Sequence, residues 1–156
     1  MGILVRNNDD FIDQLEAKMV EMDNPVECPL KHTFTKGLYS RMIFMPAGSL
    51  LTSKIHKTEH QFVVLKGKLE VSIDGQKSEL IVAPYHGITK AGTRRLLFIH
   101  EDTVWQTFHA TDIMPKDESE EAQMKAVKEI EDTILEKHEN KFLRDKNKWS
   151  LNKQEV

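Results

Sequence analysis

Between residues 26 and 112 the chain is a succession of short apolar or alternating runs, broken by glycine, proline and aspartate, with no helical period between them. Short strands at regular spacing without intervening helices predict an all-β sandwich or barrel. Leu38 to Met45 is apolar and β-compatible, and Pro46-Ala47-Gly48 turns the chain. Gln61 to Leu65 is apolar on both faces, which predicts a strand buried on both sides. Beyond it Lys68, Glu70 and Ser72 alternate with Leu69, Val71 and Ile73, the period of a half-buried strand. Asp74-Gly75 is a hairpin signal. Leu80 to Ala83 and Gly87 to Thr89 follow, with Tyr85-His86-Gly87 reading as a turn that exposes His86, and Ala91-Gly92 as another turn. Arg94 to His100 and Thr103 to His109 read as two strands separated by Glu101-Asp102.

Helical signals lie only outside this zone. In residues 8–22, Phe11, Leu15 and Met19 recur at helical spacing and Ile12 and Val20 widen the stripe. Asn8, Asp9 and Asp10 supply caps and favourable charge, and Asn24-Pro25 ends the segment. In residues 115–140, Pro115 and acidic residues open a helix whose apolar stripe is Val127, Ile130 and Ile134, with Met124 and His138 at its ends. His138 sits among charges and reads as solvated. The basic tail after it offers Phe142 and Trp149 as docking points within a segment expected to be partly disordered. The chain therefore divides into residues 1–25, helix and lead-in; 26–112, barrel; and 113–156, helix and polar tail.

A length of 156 residues suits one core, and a net charge of −3 argues against bulk nucleic-acid or membrane attraction. No apolar run spans a bilayer. The start lacks the pattern of a signal peptide, and Arg6 breaks a myristoylation motif. Cys28, the only cysteine, excludes an internal disulfide and reads as a structural thiol, so a cytoplasmic protein is the expectation.

Two histidines stand at the mouth of the apolar strand. Residues four apart share a face of an extended strand, so His56, His60, Phe62 and Val64 are expected on one side. This zone, in the run PAGSLLTSKIHKTEHQFVVLKGKLEVSIDG, resembles the cupin superfamily. Gly48 and Gly67 stand at the two glycines of the first cupin motif. Lys54 and His56 fall on its two histidines, and His60 falls on its glutamate. In Lys90-Ala91-Gly92-Thr93-Arg94-Arg95, Arg95 takes the place of the second motif's metal histidine. The resemblance spans about residues 38–110 and implies a cupin-like jelly-roll β-barrel with one helix before it and one after it. It leaves activity open, because cupins host oxygenases, isomerases, epimerases and pure binding proteins. The blocks HTFTKGLYSR, KIHKTEHQFVVLKG, AGTRRLLF and EDTVWQTFHATD are further similar to small cupin-like proteins encoded by bacteriophages. That likeness implies a phage or prophage origin and a host cytoplasm, and adds His32, Arg41, Lys54, Arg95 and His109 as residues in its motif blocks.

Face counting completes the site. Arg95, Leu97 and Ile99 share a face, as do Trp105, Thr107 and His109, whereas His100 opposes Arg95. With Arg95 inward, His56, His60 and His109 make a three-nitrogen site for one divalent transition metal (zinc, iron, nickel or manganese), with Asp102 or Glu59 orienting an imidazole. The rival chemistry is anion binding: Lys54, Arg95, His56 and His60, with Arg41 near the rim and His32 beside it, crowd one mouth with positive charge, and Trp105 or Tyr39 stacks on a ring. The bland alternatives pair Arg95 with Asp102 or Glu101, bury Trp105 as core and leave His32 in a loop. No nucleophilic triad, phosphate loop or cysteine zinc pattern is present, and an imidazole is the available general base. The leading expectation is a small-molecule-binding protein for a phosphate- or carboxylate-bearing anion, with or without a metal, and homo-oligomeric. The others are a metal-dependent cupin oxygenase or isomerase, and a structural or assembly protein.

Overall fold

The computed structural model describes residues 8–22, 25–73 and 77–140; the Asp74-Gly75 hairpin signal, Asn24, and the tail with Phe142 and Trp149 lie outside them. The elements are α1 (Asn8–Met22), β1 (Leu30–Thr35), β2 (Leu38–Met45), β3 (Leu50–Thr52), β4 (His60–Ile73), β5 (Glu79–Val82), β6 (Tyr85–Thr89), β7 (Arg95–Ala110) and α2 (Glu120–Ile134). The fold is mainly antiparallel β, with one helix before the strands and one after. No described helix is long and apolar enough to cross a membrane.

Strand order is β1-β2-β7-β4-β5, with β3 on β7 and β6 on β4. Each long strand works twice. The first part of β4 pairs β6 and its later part pairs β5; the first part of β7 pairs β3 and its later part pairs β2. Both strands thus line two walls around one core of Ile43, Met45, Leu69, Leu97, Ile99 and Trp105 with their neighbours. The bend is built in at Gly67. Its φ of +104° is glycine territory, and a Cβ there would sit 2.5 Å from the Asp102 carbonyl oxygen. The β4–β7 register shifts on both sides of this point, between Val64 and Leu69.

This bend corrects two expectations. Glu101-Asp102 does not separate two strands, because β7 bends there and runs on. Gln61 to Leu65 is not buried on both faces: Phe62 and Val64 are buried, Gln61 is exposed and Leu65 is 49% exposed, since this part of the sheet has one outer face. Tyr85-His86-Gly87 is likewise not a turn but the start of β6, the turn being at Ala83-Pro84; His86 is exposed as expected.

Helix α2 buries its expected stripe, whereas α1 buries Ile12 and Val20 as expected but not Phe11, Leu15 and Met19. Along α1 the buried positions are Ile12, Asp13, Glu16 and Val20, one residue round from Phe11, Leu15 and Met19. Two carboxylates face inward because Arg94 meets them there, at 2.8 Å from Asp13 and 3.0 Å from Glu16. Helix α2 begins at Glu120 rather than near Pro115, where the Ser119 hydroxyl accepts from the Ala122 N–H. It buries Ala126, Val127, Ile130 and Ile134, and leaves Met124 50% exposed. His138 is not solvated: its Nε2 lies 3.0 Å from Asp13 Oδ1, in the same network as Arg94.

Candidate functional site

Three buried imidazoles meet inside the strands. His56 precedes β4 and bridges to Leu135 beyond α2, His60 opens β4, and His109 lies near the end of β7. They are 3%, 6% and 3% exposed, respectively. Ring centres are 4.4 Å apart for His56 and His60, 4.5 Å for His60 and His109, and 5.7 Å for His56 and His109. One nitrogen from each lies within 4.8 Å of the others. Among the described residues the cluster is all imidazole, with no carboxylate in it.

The hydrogen bonds around the cluster orient its lone pairs. His109 Nε2 is 2.9 Å from Thr107 Oγ1, and its buried Nδ1 has no partner among the described residues. With the Nε2–H donating to Thr107, Nδ1 keeps a bare lone pair. The opposite tautomer would strand a buried N–H with nothing to accept it. His60 Nδ1 lies 3.4 Å from the Thr58 carbonyl, which accepts only, so the proton sits on Nδ1 and Nε2 keeps its lone pair. The expected orienting carboxylates do not serve. Asp102 accepts instead from the Ala47 N–H at 2.9 Å, and Glu59 is exposed. Burial, with His60, His56 and Arg41 adding to it, pushes His109 down to about 2. His60 is lowered by burial, opposed by the Thr58 carbonyl, with Arg95 lowering it further.

Arg95 shares this interior. It is 6% exposed, and its guanidinium carbon lies 5.2 Å from the Phe62 ring centre and 5.8 Å from that of Trp105. It pairs with neither Asp102 nor Glu101. Burial lowers it to about 10, with Tyr85 opposing. Trp105 is core, stacked on Phe62 at 4.3 Å and 6°, and its buried Nε1 has no partner among the described residues; nor has Thr89 Oγ1.

The remaining sequence-derived residues have partners of their own. Arg41 is buried rather than near a rim: its Nε donates to the Tyr39 hydroxyl at 2.9 Å and its Nη2 to Glu131 Oε2 at 2.9 Å. His32 is in β1 rather than in a loop, with Nδ1 2.6 Å from the Tyr39 hydroxyl. Lys54 lines a cavity of about 340 Å³ between α2 and the strands, shared with Arg94, Glu16 and Glu131, not with Arg95.

Helix α2 closes this end of the barrel. Val127, Ile130, Ile134 and Leu135 pack on Tyr39, whose ring stacks on His109 at 5.9 Å. The Lys57 N–H donates to the Ile134 carbonyl at 2.6 Å and the Glu136 N–H to the Ile55 carbonyl at 2.8 Å, so both ends of the His56 loop are tied to the end of α2. Sequence reasoning missed Thr89 and did not assign Thr107 its orienting role. Thr107 had been placed on the His109 face, and Thr89 shows its relation only through the register, directly opposite His60.

No protein-family model and no curated protein matches the chain. Among solved structures, one neighbour is an RmlC-like cupin family protein with a double-stranded β-helix fold from Methanocaldococcus jannaschii: 10% identity, 55% of this chain and 82% of that chain covered, TM-score 0.47. Another is the cupin domain of Schizosaccharomyces pombe Cnp3, at 20% identity, covering 57% of this chain and 64% of that one, TM-score 0.46. A third is an uncharacterised conserved protein with a double-stranded β-helix domain from Klebsiella pneumoniae, at 16% identity, covering 60% of this chain and 87% of that one, TM-score 0.48. At these identities and scores nothing about activity follows from them.

Proposed function

We propose that this chain is a cupin-like barrel that binds one divalent transition metal on His56, His60 and His109, and takes a small anionic molecule beside it. The observation that carries the reading is the convergence of three buried imidazole nitrogens within 4.8 Å. The donor set fits the ion. Three neutral imidazoles suit zinc, iron or nickel, two of them have their lone pairs fixed by Thr107 and Thr58, and the orphaned His109 Nδ1 gains a partner. When bound, the ion supplies a Lewis acid with open positions. Arg95 supplies the charge that holds an anion next to it. This also leaves room for the enzymatic reading, an oxygenase or isomerase, which uses the same three ligands.

The likeness of the motif blocks to phage-encoded cupin-like proteins supports a phage origin and a host-cytoplasm setting for this binder. Self-association belongs to the same reading, and the exposed Leu65, Leu80, Val82 and Ile88 supply apolar outer surface for it.

Metal content by mass spectrometry on untagged protein, after loading with zinc, iron, nickel or manganese, tests the proposal. About one ion per chain that disappears in His56→Ala and His109→Ala is expected. Protein that takes up none of the four, or an ion that survives both substitutions, overturns it.

A further inference from the structure

Arg95 is a buried cation with no acidic partner among the described residues, although its chain neighbour Arg94 has two. The Phe62 and Trp105 rings it touches are parallel and 4.3 Å apart, and its carbon is nearly equidistant from both, at 5.2 Å and 5.8 Å. Ring contact offsets part of the charge but accepts none of the guanidinium's N–H donors. Two more donors on the same walls lack acceptors among the described residues, the Trp105 Nε1–H and the Thr89 hydroxyl. In the ladders of β4, Thr89 stands opposite His60 and Trp105 opposite Val64, so both belong to the wall that begins at the histidines. A buried donor without an acceptor is costly, and such groups are rare in folded proteins unless something else meets them.

We propose that Arg95, Trp105 and Thr89 form a carboxylate subsite, and that the anion held in this barrel is a small monocarboxylate. This rests on the reading that the barrel interior is a binding site. A carboxylate has two oxygens and about four lone-pair positions. Two meet the Arg95 fork side by side, and one each remains for the Trp105 N–H and the Thr89 hydroxyl. A phosphate would bring more oxygens and more charge than this donor set and a single guanidinium answer. The flat ring wall of Phe62 and Trp105 also suits a planar group with an apolar body.

Full-length protein, metal-free and zinc-loaded, is titrated calorimetrically with sodium butyrate, sodium benzoate and inorganic phosphate. At least one carboxylate is expected to bind once per chain, about tenfold or more tighter than phosphate. Arg95→Gln is expected to weaken that binding about tenfold or more while still loading one zinc, which also shows that the variant folds. Trp105→Phe keeps the ring and removes the N–H, and is expected to weaken it several-fold. The subsite is overturned if neither carboxylate binds, if phosphate binds as well, or if Arg95→Gln binds like wild type. Should Arg95→Gln lose zinc as well, Trp105→Phe decides: weaker carboxylate binding supports the subsite and unchanged binding overturns it. Zinc uptake without carboxylate binding defeats the subsite and leaves the metal reading. Arg95-dependent carboxylate binding without zinc uptake does the reverse.

Discussion

Arg94 and Arg95 are consecutive residues with opposite electrostatic settings: Arg94 meets Asp13 at 2.8 Å and Glu16 at 3.0 Å under α1, whereas Arg95 lies against the Phe62–Trp105 stack with no carboxylate paired to it among the described residues. Asn140 adds bonds to the Asp13 carbonyl and Glu16 Oε1, and Thr52 donates to Glu16 Oε2, so the Arg94 side is saturated. One arginine joins a helix to the barrel and the other faces aromatic rings.

Replacing Arg94 with methionine strands two buried carboxylates. Breaking a buried pair on one side costs about 3–5 kcal/mol. Urea denaturation of Arg94→Met should show a loss of that order, partly recovered in Arg94→Met with Asp13→Asn and Glu16→Gln. A loss under about 1 kcal/mol would mean that the network contributes little.

Gly67→Ala should destabilise by about 2–5 kcal/mol, the sum of a left-handed backbone cost of about 1–2 kcal/mol and an overpacking cost of about 1–3 kcal/mol. The Cβ would meet the Asp102 carbonyl oxygen at 2.5 Å, and that backbone is held in the β7 ladder. By contrast Gly37, also at positive φ but with open space around it, should lose only the conformational part when changed to alanine, about 1–2 kcal/mol. Equal losses at the two sites would show that the close approach of β4 and β7 does not matter.

Burial raises the Cys28 thiol from its ordinary 9.0 to about 11. The unfolded chain therefore releases this proton first, and the thiol's contribution is whole below pH 9 and lost as pH rises towards 11. Between those limits wild type should lose about 1.4 kcal/mol per pH unit more than Cys28→Ala. Parallel stability–pH curves for the two proteins in that window would refute the assignment.

Helix α2 covers the histidines through Tyr39 and is held by the Arg41–Glu131 ion pair. On the proposed metal site, weakening this seat with Ile134→Val, a change costing about 0.5–1.5 kcal/mol, should speed loss of loaded zinc to a chelator while leaving the loaded stoichiometry unchanged. An unchanged release rate would mean that ions leave by a route that does not displace α2.

Much of the barrel was legible because its signals are local. Period-two alternation placed Arg95, Leu97 and Ile99 on one face and Trp105, Thr107 and His109 on another, and all six are buried. The same parity selected His109 over His100, which is exposed on the outer face. The false break at Glu101-Asp102 came from reading polar residues as a turn. They sit at a bend whose cause, Gly67, lies on another strand.

The sequence by itself determined most of the strands, the inward face of β7 and which imidazoles meet, because side-chain direction along a strand depends on the chain's own pleat. Only the tertiary structure decided which charges are answered. Arg41 found Glu131 on α2, and Arg94 found Asp13 and Glu16 on α1, each 78 or more residues away; His138, beyond the end of α2, joined Asp13 from 125 residues away. Charge compensation is set by the packing of distant elements, which no local period encodes, and among the described residues that packing left Arg95 without an acid.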